Sequence, residues 1–227
     1  MSNFQWGWMD EFTDLAKLHK NAITQEIFID RGYETVREVK EGDVVLDVGS
    51  SIGPFTYSIL PKNPRQVICV EPSHLEHDTL RANVGRDNVT IIEKGMGPVD
   101  GQIVIDEVFG ANGLPMRIPS IKFDTLIKEN NIERINFLKT DCEGGEYDIF
   151  NAENLFWIKD NVDFVVGEWH LSTPELKDKF RAFRDYYLKL FPNHHIYSLD
   201  GVDIKWDLWN EHFIEFYNEV IIHIEIN

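Results

Sequence analysis

No apolar run in this chain approaches the roughly 20 residues needed to cross a bilayer as a helix, so no membrane partner is expected. Cysteine is nearly absent. Cys69 and Cys142 are the 2 in 227 residues, both in apparent strand or strand-end positions. That excludes a disulfide-dense secreted scaffold and reads as free thiols of a reducing compartment. The segment Met1-Ser2-Asn3-Phe4-Gln5-Trp6 lacks the basic start and apolar core of a signal peptide, and the expected location is cytoplasmic. Positive charge is scarce as well: 22 Lys and Arg stand against 39 Asp and Glu, a formal net charge of −17. A chain so acidic, with no basic stripe, repels phosphate backbones and anionic lipid, so no nucleic acid is expected as a partner. Its bland reading is solubility or a salty habitat. There is no internal repeat, linker or low-complexity tract, and 43% hydrophobic with 27% charged residues is a globular balance.

What is present is organised around Asp43 to Gly53, Asp-Val-Val-Leu-Asp-Val-Gly-Ser-Ser-Ile-Gly. Val44, Val45, Leu46 and Val48 form the apolar, β-branched run of a strand buried on both faces of a parallel sheet. Gly49 to Gly53 follow as a turn, then a helix-compatible segment. The loop reads D-x-G-x-x-x-G. It has neither the G-x-G-x-x-G spacing of a dinucleotide loop nor the lysine of a P-loop. An acid at the strand end beside backbone N–H groups suits a ligand carrying both an ammonium and a carboxylate, and S-adenosylmethionine is the common cofactor with that head. The structural alternative is an ordinary strand–turn–helix. A second run, Gln66 to Val70, ends in Glu71, 22 residues past Gly49. An acid about 20 residues beyond the glycine loop, at the tip of the next strand, is placed to take ribose hydroxyls. The two signals together point to an adenosine-containing cofactor.

The remaining chain reads as alternating strands and helices, hence one α/β sheet. Residues 1–40 read as an N-terminal helical segment on or over the core. Met9, Phe12 and Leu15/Ala16 have helical spacing there, and a helix from Glu26 to Val39 leads into the first strand. Trp6 and Trp8 could alternatively form a lid stacking on a sugar-like acceptor. Ser73-His74-Leu75-Glu76 reads as a capping box opening a helix to about Val84. Val89 to Glu93 is a third strand, and the Lys94-Gly95-Met96-Gly97 loop places Gly95 and Met96 where an adenine ring could lie. Residues 98–121, punctuated by Gly and Pro around Ile103-Val104-Ile105, read as a hairpin and loop insertion. A helix over Phe123–Asn130, a strand over Ile135–Thr140, a helix over Tyr147–Ile158 and a strand over Val162–Glu168 follow. Thr173-Pro174 reads as a helix start, with Leu176, Phe180, Phe183 and Tyr187 as its core stripe. His195–Leu199 and Glu219–Ile226 could form an antiparallel edge, with a small helix around Trp206–Phe216 between them.

Asp141, Glu143, Glu146, Glu168 and His170 fall at two strand ends expected on one rim. Each has a bland reading: Glu146 favours a helix N-terminus, and His170 could be a satisfied surface histidine. Five at functional strand tips argue for a site. Four stretches carry a family resemblance: Gly42-Asp43-Val44-Val45-Leu46-Asp47-Val48-Gly49 with Gly53; Val70-Glu71-Pro72; Phe123-Asp124-Thr125-Leu126; and Phe137-Leu138-Lys139-Thr140-Asp141-Cys142-Glu143-Gly144-Gly145-Glu146. They resemble the FkbM-type family of S-adenosylmethionine-dependent methyltransferases. The resemblance runs from about Glu26 to Trp169, and more loosely to the C-terminus. Two departures are Ser50-Ser51, where the family commonly has Ala-Asn, and Gly145, where alanine is common. The length of 227 residues itself reads as a single domain over residues 1–227, and the resemblance implies its fold. Its fold would be a Rossmann-like doubly wound sheet of about seven strands, mostly parallel, with an antiparallel C-terminal edge strand. It also implies O-methylation of a hydroxyl on a small-molecule or carbohydrate-like acceptor. The acceptor itself is not inherited.

On this reading Asp47, Val48, Gly49, Ser50 and Gly53 hold the methionine end, Glu71 and Pro72 the ribose side, and Gly95 and Met96 the adenine. Asp141 faces the methionine end or the acceptor, and Glu143, Glu168 and His170 face the acceptor. Methyl transfer is an in-line displacement, so positioning supplies most of the rate. A hydroxyl acceptor also gains from losing its proton. His170 with an ordinary pKa near 6.5 could take it, or a divalent metal held by the carboxylates could lower the acceptor's pKa. Two other classes compete. An NAD-dependent oxidoreductase fits Glu71, but neither the loop spacing nor the missing Tyr-x-x-x-Lys pair. A non-catalytic adenosyl-cofactor-binding protein would have little need of the full Asp47, Gly49, Glu71 and Asp141 set.

Overall fold

The computed structural model describes residues 3–10, 14–105 and 116–227. The described residues hold ten strands, β1 (Val44–Val48), β2 (Gln66–Val70), β3 (Val89–Ile92), β4 (Gly95–Met96), β5 (Gly101–Ile105), β6 (Met116–Ile121), β7 (Phe137–Thr140), β8 (Phe164–His170), β9 (His194–Tyr197) and β10 (Glu219–Glu225), with helices between most of them except along β3 to β6. Seven form the main sheet in the order β3-β2-β1-β7-β8-β10-β9, and the other three a small sheet in the order β4-β6-β5. This is the α/β, Rossmann-like, mostly parallel sheet expected from the sequence. The C-terminal strand β10 is antiparallel to β8, and it lies one place in from the edge with β9 outside it. The chain divides into two compact units, residues 1–95 with 101–120, and residues 96–100 with 121–227.

In the first unit β1, β2 and β3 pair in parallel, Val48 opposite Val70 and Val70 opposite Ile92. Every residue of β1 is buried, which is why its sequence is an unbroken apolar run apart from Asp47. The helices are α1 (Asp14–Ile23), α2 (Pro54–Ile59) and α3 (His77–Val84). Phe4, Trp6 and Met9 are buried against Ile52, flanked by Trp8, Ile23, Phe28 and Tyr57. Asn83 stitches this strap down: its Oδ1 accepts from Gln5 N–H at 2.7 Å, and its Nδ2 donates to the Gln5 and Ile52 carbonyls at 2.8 Å each. Trp6 is therefore core rather than lid. Phe12, part of the expected helical spacing, lies outside the described residues. The helix expected over Glu26–Val39 stops early. After a π-helical turn over Thr24–Ile29, Arg31 adopts a left-handed φ of 54° and only a 3₁₀ turn, Gly32–Glu34, follows. Within the 98–121 insertion, β5 and β6 pair antiparallel; their connection lies outside the described residues.

In the second unit β7 and β8 pair in parallel with Thr140 opposite Gly167, and β10 pairs with β8 along its whole length. The helices are α4 (Phe123–Glu129), α5 (Glu146–Ile149), α6 (Leu155–Asn161), α7 (Pro174–Ala182) and α8 (Glu211–Ile214). The single helix expected over Tyr147–Ile158 is split. Asn151 Oδ1 accepts from the backbone N–H of Glu153 and Asn154 at 2.9 and 3.0 Å, a local turn that competes with the helical ladder. Thr173 caps α7 as expected, its Oγ1 accepting from Leu176 N–H at 3.2 Å. Trp169 at the end of β8 stacks on Phe183, ring centroids 5.1 Å apart, and Phe150 lies against both. Burying three such rings anchors the strand tip beneath the rim residues.

Candidate active site

The first unit supplies a loop gripped by acids. Gly49 (φ 76°) turns the chain out of β1, and the N–H groups of Gly49 and Ser50 donate to the Val70 carbonyl at 2.9 and 3.2 Å. Ser50 Oγ donates to the Asp47 carbonyl at 2.7 Å, and Gly53 N–H to the Ser50 carbonyl at 2.8 Å. Gly53 (φ 84°) leaves no room for a side chain, since a Cβ would lie 2.7 Å from Val84 and 2.9 Å from Leu80 on α3. Asp47 is 0% exposed and its Oδ2 accepts from Thr56 Oγ1 at 2.7 Å. Its carboxylate therefore ties the strand end to α2, behind the loop rather than on an open rim. Val48 is wholly buried and offers a ligand only its backbone.

Ser51, left-handed at φ 49°, points its N–H at Glu71 Oε2, 2.8 Å away; Glu71 Oε1 accepts from Ser73 N–H at 2.7 Å. Two backbone donors thus fix the plane of the carboxylate that the sequence assigned to a ribose. An ionised carboxylate only accepts, so the lone pairs left on Glu71 suit the O–H donors of a vicinal diol. Gly95 packs on Pro72: a Cβ there would lie 3.4 Å from Pro72 and 2.6 Å from Ile118.

Glu76 was not foreseen. The expected capping box does not form: α3 begins at His77, Ser73 Oγ is buried without a hydrogen-bond partner, and Glu76 instead accepts from Trp8 Nε1 at 3.4 Å. Burial, and then the neighbouring Glu71 charge, push the Glu76 pKa up to about 7.

The second unit carries the rim. Asp141 and Glu143 follow β7, and Glu168 and His170 end β8. Glu143 is held at a left-handed φ of 55°. Around His170 Nε2 lie Glu143 Oε2 at 3.4 Å, Asp141 Oδ1 at 3.9 Å and Glu168 Oε2 at 4.0 Å. Lys139 Nζ is 3.7 Å from Asp141 Oδ2. On the other side of the ring, His170 Nδ1–H donates to Glu146 Oε1 at 3.0 Å, and Cys142 N–H donates to the same oxygen at 2.9 Å. Tyr147 Oη donates to the His170 carbonyl at 2.8 Å. Met96 belongs beside this loop: a Cβ on Gly145 would lie 3.1 Å from the Met96 carbonyl oxygen and 3.0 Å from Cys142 Sγ, so residue 145 must stay small.

Burial alone would lower the His170 pKa. The hydrogen bond to Glu146 and the charges of Glu146, Asp141 and Glu143 outweigh it and raise the value to about 10. The ordinary histidine pKa assumed in the general-base reading does not apply to this ring. Burial also raises the Glu143 pKa, with the His170 charge opposing. Glu146 is the residue whose role the sequence understated. It is 0% exposed and orients His170 from 24 residues away. The only signal for it was its place in the Asp141–Glu146 run.

The fold is that of a class I methyltransferase. Aeropyrum pernix fibrillarin, solved with natively bound S-adenosyl-L-methionine, superimposes with a TM-score of 0.50 at 14% identity, covering 90% of this chain and 76% of that one. A Streptococcus mutans protein solved with SAH gives a TM-score of 0.50 at 10% identity over 95% and 99% of the two chains. The chain itself belongs to the methyltransferase FkbM domain family, whose match spans residues 47–195, from the acid of β1 to β9. It is 26% identical over 188 residues to "Methyltransferase 1" of Beauveria bassiana, covering 67% of this chain and 74% of that protein. It is 29% identical over 145 residues to the hexuronic acid methyltransferase AglP of Haloferax volcanii, covering 60% of this chain and 59% of that protein. The chain is thus an S-adenosylmethionine-dependent methyltransferase by family. None of the described helices is long and apolar enough to cross a membrane.

Proposed function

We propose that the chain methylates an oxygen of a small-molecule or carbohydrate acceptor, and that sugar acids are the first acceptor class to test. The observation that carries this reading is the group of Asp141, Glu143 and Glu168 oxygens gathered within 4.0 Å of His170 Nε2. A polar, acidic strand-end cluster suits an oxygen nucleophile that must be oriented by hydrogen bonds. The Haloferax relative, named for hexuronic acid, supports carbohydrate as the acceptor class.

S-adenosylmethionine supplies an electrophilic methyl group on a sulfonium. The chain's own residues bind and orient. Glu71, fixed by Ser51 and Ser73 N–H, takes the ribose hydroxyls, and Pro72 with Gly95 and Met96 borders the base. The Gly49–Gly53 loop, braced from behind by Asp47, receives the methionine end, and Asp141 serves either that end or the acceptor. Glu143, Glu168 and His170 hold the acceptor oxygen in line, where good orientation is worth about 7–11 kcal/mol of barrier. The net charge of −17 supports neither RNA nor DNA as acceptor.

Titration calorimetry with S-adenosylhomocysteine and with NAD tests the cofactor, and transfer of a labelled methyl group to a panel of uronic-acid oligosaccharides, neutral sugars and RNA tests the acceptor. Binding of S-adenosylhomocysteine with label appearing in a sugar is the expected result. NAD binding alone, or label in RNA alone, overturns the reading.

A further inference from the structure

The rim has a feature that acceptor binding alone does not require. One donor atom each from Asp141, Glu168 and His170 lies within 4.8 Å of the others. An ion with metal–ligand distances of about 2.0–2.6 Å spreads its donors over roughly 3–5 Å, so the three need only small side-chain rotations to converge. His170 is 5% exposed, and its Nδ1 is taken by Glu146. The other ring nitrogen, Nε2, is turned toward the carboxylates, with Glu143, Asp141 and Glu168 oxygens at 3.4, 3.9 and 4.0 Å.

The ring is held for that task. Glu146, wholly buried, occupies Nδ1, and this fixes both the ring plane and Nε2 as the atom presented. Ligating histidines characteristically place the second ring nitrogen on a carboxylate in this way, which raises their basicity. A nitrogen lone pair with two carboxylate oxygens is a borderline donor set. It suits Mn²⁺ or Zn²⁺ better than the all-oxygen cations Ca²⁺ and Mg²⁺.

We propose that Asp141 Oδ1, Glu168 Oε2 and His170 Nε2 bind a divalent transition-metal ion, with Glu146 as the positioning residue behind the histidine and Glu143 as a nearby carboxylate that lowers the local potential. Binding displaces any proton on Nε2, which leaves to solvent. The remaining coordination positions face the acceptor. There the ion lowers the pKa of a bound hydroxyl, or neutralises the carboxylate of a sugar acid that the acidic rim would otherwise repel. This role at the acceptor rests on the function proposed above; the ion site itself does not.

Manganese chloride added to the purified full chain, with the electron paramagnetic resonance signal of free Mn²⁺ as the readout, tests the site without any turnover. One ion per chain is expected, displaced by Zn²⁺ more readily than by Mg²⁺. Asp141→Asn, Glu168→Gln and His170→Asn should each weaken binding roughly 10- to 100-fold, while the surface change Glu153→Gln leaves it as in the parent. Far-UV circular dichroism and a cooperative urea transition for each variant show that it is folded. Folded protein that leaves millimolar Mn²⁺ free overturns the proposal. So do rim variants that bind as the parent does, and an equal loss in Glu153→Gln, which would mean scattered surface binding. If the parent binds Mn²⁺ but neither S-adenosylhomocysteine nor S-adenosylmethionine, the ion site stands and the function reading falls.

Discussion

Gly167 lies against Thr140 so closely that a Cβ at 167 would meet the Thr140 carbonyl oxygen at 1.9 Å. The two residues are register partners on β8 and β7, and the next residue along each strand is a rim acid, Glu168 and Asp141. The absence of one methyl group therefore sets how near those two carboxylates come. Gly167→Ala must push backbone against backbone, where no side chain can swing away. Overpacking of this kind costs typically 1–3 kcal/mol and more where nothing yields. Urea denaturation should show a loss of about 3 kcal/mol or more. An unchanged midpoint would mean that the two strands part without cost.

The Ser51–Glu71–Ser73 bonds predict that Glu71 serves the loop and the cofactor at once. Glu71→Ala leaves two N–H groups without their acceptor and removes the charged partner of the ribose, so affinity for S-adenosylhomocysteine should fall by about 1.5–3 kcal/mol. Glu71→Gln keeps one carbonyl acceptor and should fall between the two. Calorimetry reads both. Equal dissociation constants for all three proteins would remove Glu71 from the cofactor site.

The parts of the molecule that were legible in the sequence are those where local pattern and burial agree. β1 and β2 are buried along almost their whole length, so each appears as a β-branched run, and the turn between strand and helix needs its glycines at 49 and 53. The missed features are tertiary. Asn151 looks like an ordinary helix residue until its side chain caps the turn that splits the helix. Glu76 completes a capping-box pattern, yet Trp8, 68 residues away, draws its side chain off. Glu146 has the composition of a helix start, and only the arrival of β8 shows that it faces His170. The position of β10 between β8 and β9 is a matter of topology, which strand patterns do not encode.

Glu76 makes a prediction about pH. Its folded pKa, raised to about 7, lies above the 4.5 of the free side chain. Between these values the folded chain holds a proton that the unfolded chain has lost, so stability falls as pH rises from 4.5 to 7 and is then level. The span is worth on the order of 3 kcal/mol. Glu76→Gln keeps an acceptor for Trp8 Nε1 and removes the titration. Relative to the parent it should gain stability on going from pH 5 to pH 8 in chemical denaturation. Parallel changes in the two proteins would show that Glu76 is not strained by burial and by Glu71.

His223 pulls in the opposite direction. It is 1% exposed on β10, between Phe164 and Tyr197 at ring distances of 6.0 and 5.6 Å and across from His195 in register. Burial, and then the charge of His195, lower its pKa from 6.5 to about 4. Here the unfolded chain takes the proton first, so stability is full above pH 6.5 and drains away as pH falls toward 4. His194 shifts the same way, again chiefly through burial. Since Glu76 stabilises across nearly the same window in which His223 destabilises, the parent's own pH profile is a partial cancellation and identifies neither. The differences do: His223→Gln stays neutral, so its profile should hold up better than the parent's from pH 6.5 down to pH 4.5. The double variant with Glu76→Gln should carry both changes additively, because sites without shared partners rarely couple by more than about 0.5 kcal/mol. If His223→Gln loses stability on acidification as steeply as the parent, the acid sensitivity of this fold resides elsewhere than in His223.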